Sequence, residues 1–168
     1  MSGRVFLFGD DVDTDQLAPG AFMSGGIASL AAHCLEDLRP DFASTVKAGD
    51  LVVAGKNFGI GSSREQAAEA LRHLGVAGVV ARSFAGIFYR NAINLGLPVM
   101  VAEDLGDLAD GDAAELDMEA AVLRLTGKET VVRLEPLPEN LKRLLADGGL
   151  VAHLKERFAE KRLEESGP

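Results

Sequence analysis

With 168 residues, an apolar fraction of 47% and charges scattered rather than blocked, the chain can bury one core, which excludes a disordered protein. A formal charge of -9 without any Lys/Arg-rich block excludes a nucleic-acid surface. No apolar run is long enough to span a bilayer, so no membrane segment is expected and a cytoplasmic location is the default. The one cysteine, Cys34, allows neither an internal disulfide nor a cluster held by this chain's own thiolates.

RVFLF at 4–8 is an apolar strand candidate that ends in Gly9 and the run GDDVDTDQLAPG. That run reads either as an Asx-rich surface turn or as a rigid segment aiming carboxylates into a cleft. Leu30, Cys34, Leu35 and Leu38 recur at helical spacing, and Pro40 ends the pattern. A second strand is expected at 51–54, with GIGSSRE directly after it. Ala67, Ala70, Leu71 and Leu74 then predict a helix that Gly75 breaks, and VAGVVA at 76–81 predicts a third strand. Phe84, Ile87, Phe88, Ala92 and Leu95 form a second apolar helical face, a core stripe stopped by Gly96, and PVMVA from 98 supplies another short strand.

Alternation of strands and helices predicts an α/β fold with a mixed or mostly parallel sheet covered by helices. AELDM, AVLRL and TVVRLE alternate at a two-residue period, with TGK as a tight turn, and predict a small antiparallel meander over about 113–135. Helices near 138–146 and 149–160 close a single domain of residues 1–163, and 164–168 is expected to be a flexible tail.

NFGIGSSREQA at 57–67 carries the clearest chemical signal. Ser62 and Glu65 fit a capping box at an ordinary helix start, a reading that needs no ligand. Gly59 and Gly61 also let the backbone turn tightly, leaving amides exposed at the positive end of a helix, and Arg64 adds a guanidinium suited to a carboxylate. In the first helical turn that arginine opposes the macrodipole, which makes sense when an anion comes to it. The same field can stabilise a serine alkoxide. No histidine stands near in sequence, leaving a distant base, no covalent role, or a serine whose own ionised oxygen takes a proton. Neither phosphate-loop nor dinucleotide glycine spacing is present. His33, His73 and His153 have no mutual metal-ligand spacing.

Taken together, GDDVDTDQLAPG, GDLVVAGKNFGIGSSREQA, ARSFAGIFYRNAINLGLPV and the closing EPLP…LLADGGLVAHL resemble the small subunits of the 3-isopropylmalate dehydratase and homoaconitase group, the two-chain relatives of aconitase. The resemblance covers nearly the whole chain and implies the swivelling β/β/α domain of the aconitase type, lying like a lid over a large subunit. It implies a large-subunit partner carrying a [4Fe-4S] cluster, no cofactor or metal on this chain, a small hydroxy-dicarboxylic acid as substrate, and a heterodimer or heterotetramer. Ser62 matches the family's serine base. Ser63 and the neighbouring amides, Gly61 included, match the anion hole, Arg64 the substrate-carboxylate clamp and Asp15 the carboxylate beside the active site; Asp13 braces the turn.

The implied reaction is a hydro-lyase interconversion of 2-isopropylmalate and 3-isopropylmalate in leucine biosynthesis. The loop at 19–27, PGAFMSGGI, corresponds to the segment that selects the substrate side group in the family, with Phe22, Met23 and Ser24 as candidate contacts. No arginine lies between Arg4 and Arg39, so an isopropyl group fits better than a second carboxylate. The alternatives are the small subunits of homoaconitase, in the lysine pathway, or of 2,3-dimethylmalate dehydratase, and a regulatory lid that binds an acid without catalysing. The family's GCGSSREH reads GIGSSREQ here, which alters packing behind Ser62 and Arg64.

Overall fold

The structure is a computed structural model that describes residues 2–167; Met1 and Pro168, the two ends of the expected domain and tail, lie outside the described residues. Strands β1 (Gly3–Leu7), β2 (Leu51–Ala54), β3 (Gly78–Ala81) and β4 (Val99–Val101) pair in parallel, while β5 (Ala113–Asp117), β6 (Val122–Leu125) and β7 (Val131–Arg133) form an antiparallel meander. β5 joins the two parts by pairing antiparallel with β1, giving a seven-stranded sheet in the order β4-β3-β2-β1-β5-β6-β7. The expected mixed sheet with an antiparallel segment is therefore what forms.

The helical segments are α1 (Thr14–Leu17), α2 (Gly26–Ala31), α3 (Phe42–Thr45), α4 (Gln66–His73), α5 (Gly86–Asn94), α6 (Glu139–Ala146) and α7 (Leu150–Glu165). Each parallel crossover steps to the next strand in one direction, so right-handed connections place α2, α4 and α5 on one face. Both β2 and β3 are buried along their whole length, as a strand covered on both faces must be. Over the other face the sheet curls: Glu135, just after β7, donates its N–H to Val101 of β4 at 2.8 Å. Four fully buried phenylalanines, Phe6, Phe42, Phe58 and Phe88, anchor the core, and each such ring contributes about 1.5–3 kcal/mol by leaving water. Phe58 meets Phe88 edge-to-face at 5.2 Å, locking the connection after β2 onto α5.

Three details depart from the sequence reading. The helical spacing at 30–38 does not give one helix: α2 ends at Ala31 and a series of turns follows. Leu35 sits there at φ 59, an uncommon conformation for a large side chain, and its N–H donates to the Gln16 carbonyl at 2.8 Å. Its full burial and that long-range bond outweigh the local helical preference. Of the core stripe expected from 84 on, Phe88 of α5 is buried, Phe84 precedes the helix in a bridge with Phe58 and packs against Phe88, and Ile87 is 44% exposed. α7 runs on to Glu165, past the expected end near 160 and into the residues assigned to the tail, although none of its side chains is buried.

Candidate active site

The site is built where β1 and β2 end, the usual place for ligands in parallel sheets. Beyond the strands, the two connections continue the parallel ladder: Asp11 donates its N–H to Lys56 O, Gly59 to Val12 O and Thr14 to Ile60 O, at 2.8, 2.7 and 2.8 Å. Aspartates reinforce this zipper. Asp10 Oδ1 accepts the Lys56 N–H at 2.7 Å, and Asp11 Oδ1 accepts from Asn57 Nδ2 at 2.9 Å. Asp13 caps α1 in a reciprocal capping box, its Oδ1 accepting the Gln16 N–H while Gln16 Oε1 accepts its own N–H. In the DDVDTDQ run the aspartates Asp10, Asp11 and Asp13 fix the backbone, while the Asp15 carboxylate lies exposed rather than in a cleft.

Asp15 Oδ1 pairs with Arg64 Nη1 at 2.8 Å, and the same nitrogen donates to the Ala18 carbonyl at 3.0 Å. The Arg64 hydrogen bond, followed by the Gly20 N–H, holds the Asp15 carboxyl below its ordinary range. Ser62 lies beside them. Its N–H donates to Thr14 Oγ1 at 3.1 Å and the two hydroxyl oxygens are 3.2 Å apart. Gly61, at φ 115, is the residue a side chain would spoil, since a Cβ there would meet Thr14 Oγ1 at 2.8 Å. Asn91 of α5 donates to the Ser63 carbonyl at 3.4 Å.

The Ser62–Glu65 capping box does not form. α4 begins at Gln66, and Glu65 precedes it in a helical conformation without a side-chain cap bond. Ser62 instead faces Thr14, and Arg64 stands before the helix rather than in its first turn, where pairing with Asp15 and Ala18 relieves it of any conflict with the dipole. Nor is the Gly59 amide open, since Val12 accepts it; the N–H groups of Gly61, Ser63 and Arg64 are among those of this loop that have no acceptor among the described residues. The open amides thus lie around Ser63 rather than at Gly59.

Residues 20–25 of the loop form a 3-10 turn running into α2. Phe22 stacks flat on His33, with ring centroids 3.5 Å apart, and His33 Nδ1 lies 2.7 Å from Glu36 Oε2. Phe22 and Met23 are half-buried against the core and Ser24 is exposed. Thus Asp15, Ser62 and Arg64 come together with Gly20 at the edge of the loop, where a Cβ would lie 3.6 Å from Asp15 Oδ1 and 3.7 Å from Arg64 Nη2. Thr14 and Asn91 are partners the sequence reading missed; Thr14 lay inside the DTDQ motif, but nothing local marks its bond to a residue 48 positions away. The site is an open surface, with Asp15, Gly61, Ser62 and Ser63 all exposed. The clefts bounded by Glu103, Arg133 and Glu135, and by Arg143, Asp147 and His153, contain none of these residues.

Among the described residues no group of three or more His, Cys, Asp or Glu is arranged to hold a metal ion. Cys34 is fully buried, and burial pushes its thiol up, away from the thiolate a cluster needs. Nor, among the described residues, is any helix long and apolar enough to cross a membrane.

Residues 37–104, a stretch that includes Ser62 and Arg64, match the family described as Aconitase C-terminal domain. The 3-isopropylmalate dehydratase small subunit of Syntrophus aciditrophicus is 46% identical over 93% of this chain and 96% of that protein. The methanogen homoaconitase small subunit of Methanothermobacter thermautotrophicus is 49% identical over 90% and 88%. A crystal structure of 3-isopropylmalate dehydratase from Methanocaldococcus jannaschii superimposes with a TM-score of 0.91 at 42% identity, covering 97% of this chain and 98% of the other. The chain belongs to this family of aconitase-type dehydratase small subunits, and its partner is accordingly a large subunit.

Proposed function

We propose that the chain is the small subunit of a 3-isopropylmalate dehydratase, supplying the proton-handling serine and the carboxylate clamp to a site completed by the large subunit. The observation that carries this reading is the exposed Ser62 hydroxyl, set against Thr14 and beside an Arg64 held by Asp15. Ser62 takes the carbon-bound proton of 2-isopropylmalate as its hydroxyl departs, and returns it to the other carbon once the unsaturated intermediate has rebound in the opposite sense. Arg64 grips a substrate carboxylate, and the free amides of Gly61, Ser63 and Arg64 offset negative charge at the serine oxygen.

The described residues provide no donor set for an iron–sulfur cluster. A [4Fe-4S] cluster on the large subunit would supply a Lewis acid for the hydroxyl. The domain, in the cytoplasm, closes as a swivelling lid over that site, excluding water around Ser62.

Phe22 and Met23 present apolar surface in the loop, and no Lys or Arg lies between Arg4 and Arg39. An isopropyl group suits this loop; the added carboxylate of a homoaconitase substrate would need a cation from elsewhere. The 49% identity to a homoaconitase small subunit keeps that second reading in view, and dimethylmalate satisfies the same apolar logic. Anaerobic turnover of the reconstituted pair on 2-isopropylmalate, homocitrate and 2,3-dimethylmalate tests the proposal. Preference for isopropylmalate supports it, and preference for homocitrate overturns the substrate assignment.

A further inference from the structure

Thr14 is 3% exposed, one of the few polar side chains in the interior, and it faces the serine rather than its own helix. Its Oγ1 accepts the Ser62 N–H at 3.1 Å, so one lone pair is committed. The hydroxyl hydrogen then has a single acceptor among the described residues, Ser62 Oγ at 3.2 Å. With the reverse polarity, Ser62 donating, the Thr14 hydrogen would be buried without a partner, which costs free energy that the observed pairing avoids. The backbone on both sides is fixed: the Thr14 N–H is held by Ile60 O, Asp13 caps α1, and Gly61 provides the space the hydroxyl occupies.

We infer that Thr14 is a positioning residue for the proton transfer, donating its hydroxyl to Ser62 Oγ and stabilising that oxygen when it is ionised. This rests on the assignment of Ser62 as the base. The Ser62 amide orients the threonine oxygen, and the threonine O–H is thereby aimed at the serine oxygen before the reaction, so no reorganisation is needed as negative charge develops. The serine's own proton is directed outward, toward the open face where the substrate and large subunit must come. A donor fixed in this way leaves ground-state substrate binding to Arg64 and acts on the proton-transfer step alone.

The test uses Thr14→Val and Thr14→Ser in the small subunit reconstituted anaerobically with its large subunit, assayed on 2-isopropylmalate beside Ser62→Ala. Valine preserves the shape and removes the donor; serine keeps the donor. The expected result for Thr14→Val is a fall in kcat of about 10²-fold, as for other single oxyanion donors, with KM little changed. The rising limb of its turnover-pH profile moves to higher pH, a shift that a packing defect would not produce. Thr14→Ser restores both toward wild type. Wild-type kcat and pH profile in an assembled Thr14→Val enzyme overturn the inference, as does a Thr14→Ser enzyme as impaired as Thr14→Val. If Ser62→Ala is itself fully active, it is the assignment of the base that has failed, and the Thr14 inference falls with it.

Discussion

Arg64 and Asp15 join the two connections that make the site: the arginine follows β2, the aspartate follows β1, and Nη1 lies 2.8 Å from Oδ1. Because Ala18 O shares that nitrogen, the guanidinium is oriented by two groups of one chain segment before any substrate arrives, and the Gly20 N–H in turn holds Asp15. Arg64→Lys keeps the charge and loses the planar fork. Its expected effect is a rise in KM for isopropylmalate of about tenfold or more with the fold intact. Steady-state kinetics on the reconstituted enzyme check this, and an unchanged KM counts against the clamp.

The Asp15 carboxyl lies below its ordinary value of 3.8, chiefly through the Arg64 hydrogen bond. A depressed carboxylate contributes stability that is complete above the unfolded value and lost as pH falls through the folded one. The Gly20 N–H bond to Asp15 should therefore persist from pH 7 to about 4 and weaken only below that. Exchange protection of the Gly20 amide as a function of pH follows it directly. Asp15→Asn should abolish the acid-side change, and a midpoint above the ordinary carboxylate value would contradict the pairing.

Gly59 combines φ 83 with close approach to Phe88, where an added Cβ would collide with the ring. Gly59→Ala should destabilise the domain by roughly 2–4 kcal/mol through overpacking and left-handed strain. Urea unfolding measures the loss; a change near zero would mean that the Phe58–Phe88 contact does not fix this connection.

Substrate choice should follow charge in the 3-10 turn. Met23 is the residue to change, because Phe22 is tied to His33 and its removal disturbs the loop itself. Met23→Arg should lower kcat/KM for isopropylmalate and raise it for homocitrate, since a buried carboxylate gains a partner. The ratio of the two constants is the readout, and an unaltered ratio would remove this loop from substrate selection.

Much of the fold was legible because local and global signals agree there. β2 at 51–54 emerged within the residues its apolar run marked, and Gly75 and Gly96 end their helices at φ 85 and φ 80. Where a long-range contact overrides the local one, the sequence misleads. Leu35 fits a helical stripe, yet its amide bonds Gln16 and its side chain enters the core from a left-handed turn. The same holds in the site. Ser62 and Glu65 spell a capping box, but Thr14 satisfies the Ser62 amide from another connection, while the box that does form belongs to Asp13 and Gln16. Asp15, Ser62 and Arg64 could be named from their motifs; the threonine between the two aspartates gains its meaning only from the ladder that sets it against Ser62.

Every role proposed for the loop serves Ser62 as the group that takes the substrate proton. The decisive measurement is turnover of 2-isopropylmalate by Ser62→Ala reconstituted with the large subunit, with KM and subunit association followed in parallel. A loss in kcat of about 10²–10⁴-fold, with assembly and KM retained, is the predicted result. A variant that assembles and turns over near the wild-type rate would show that another group moves the proton.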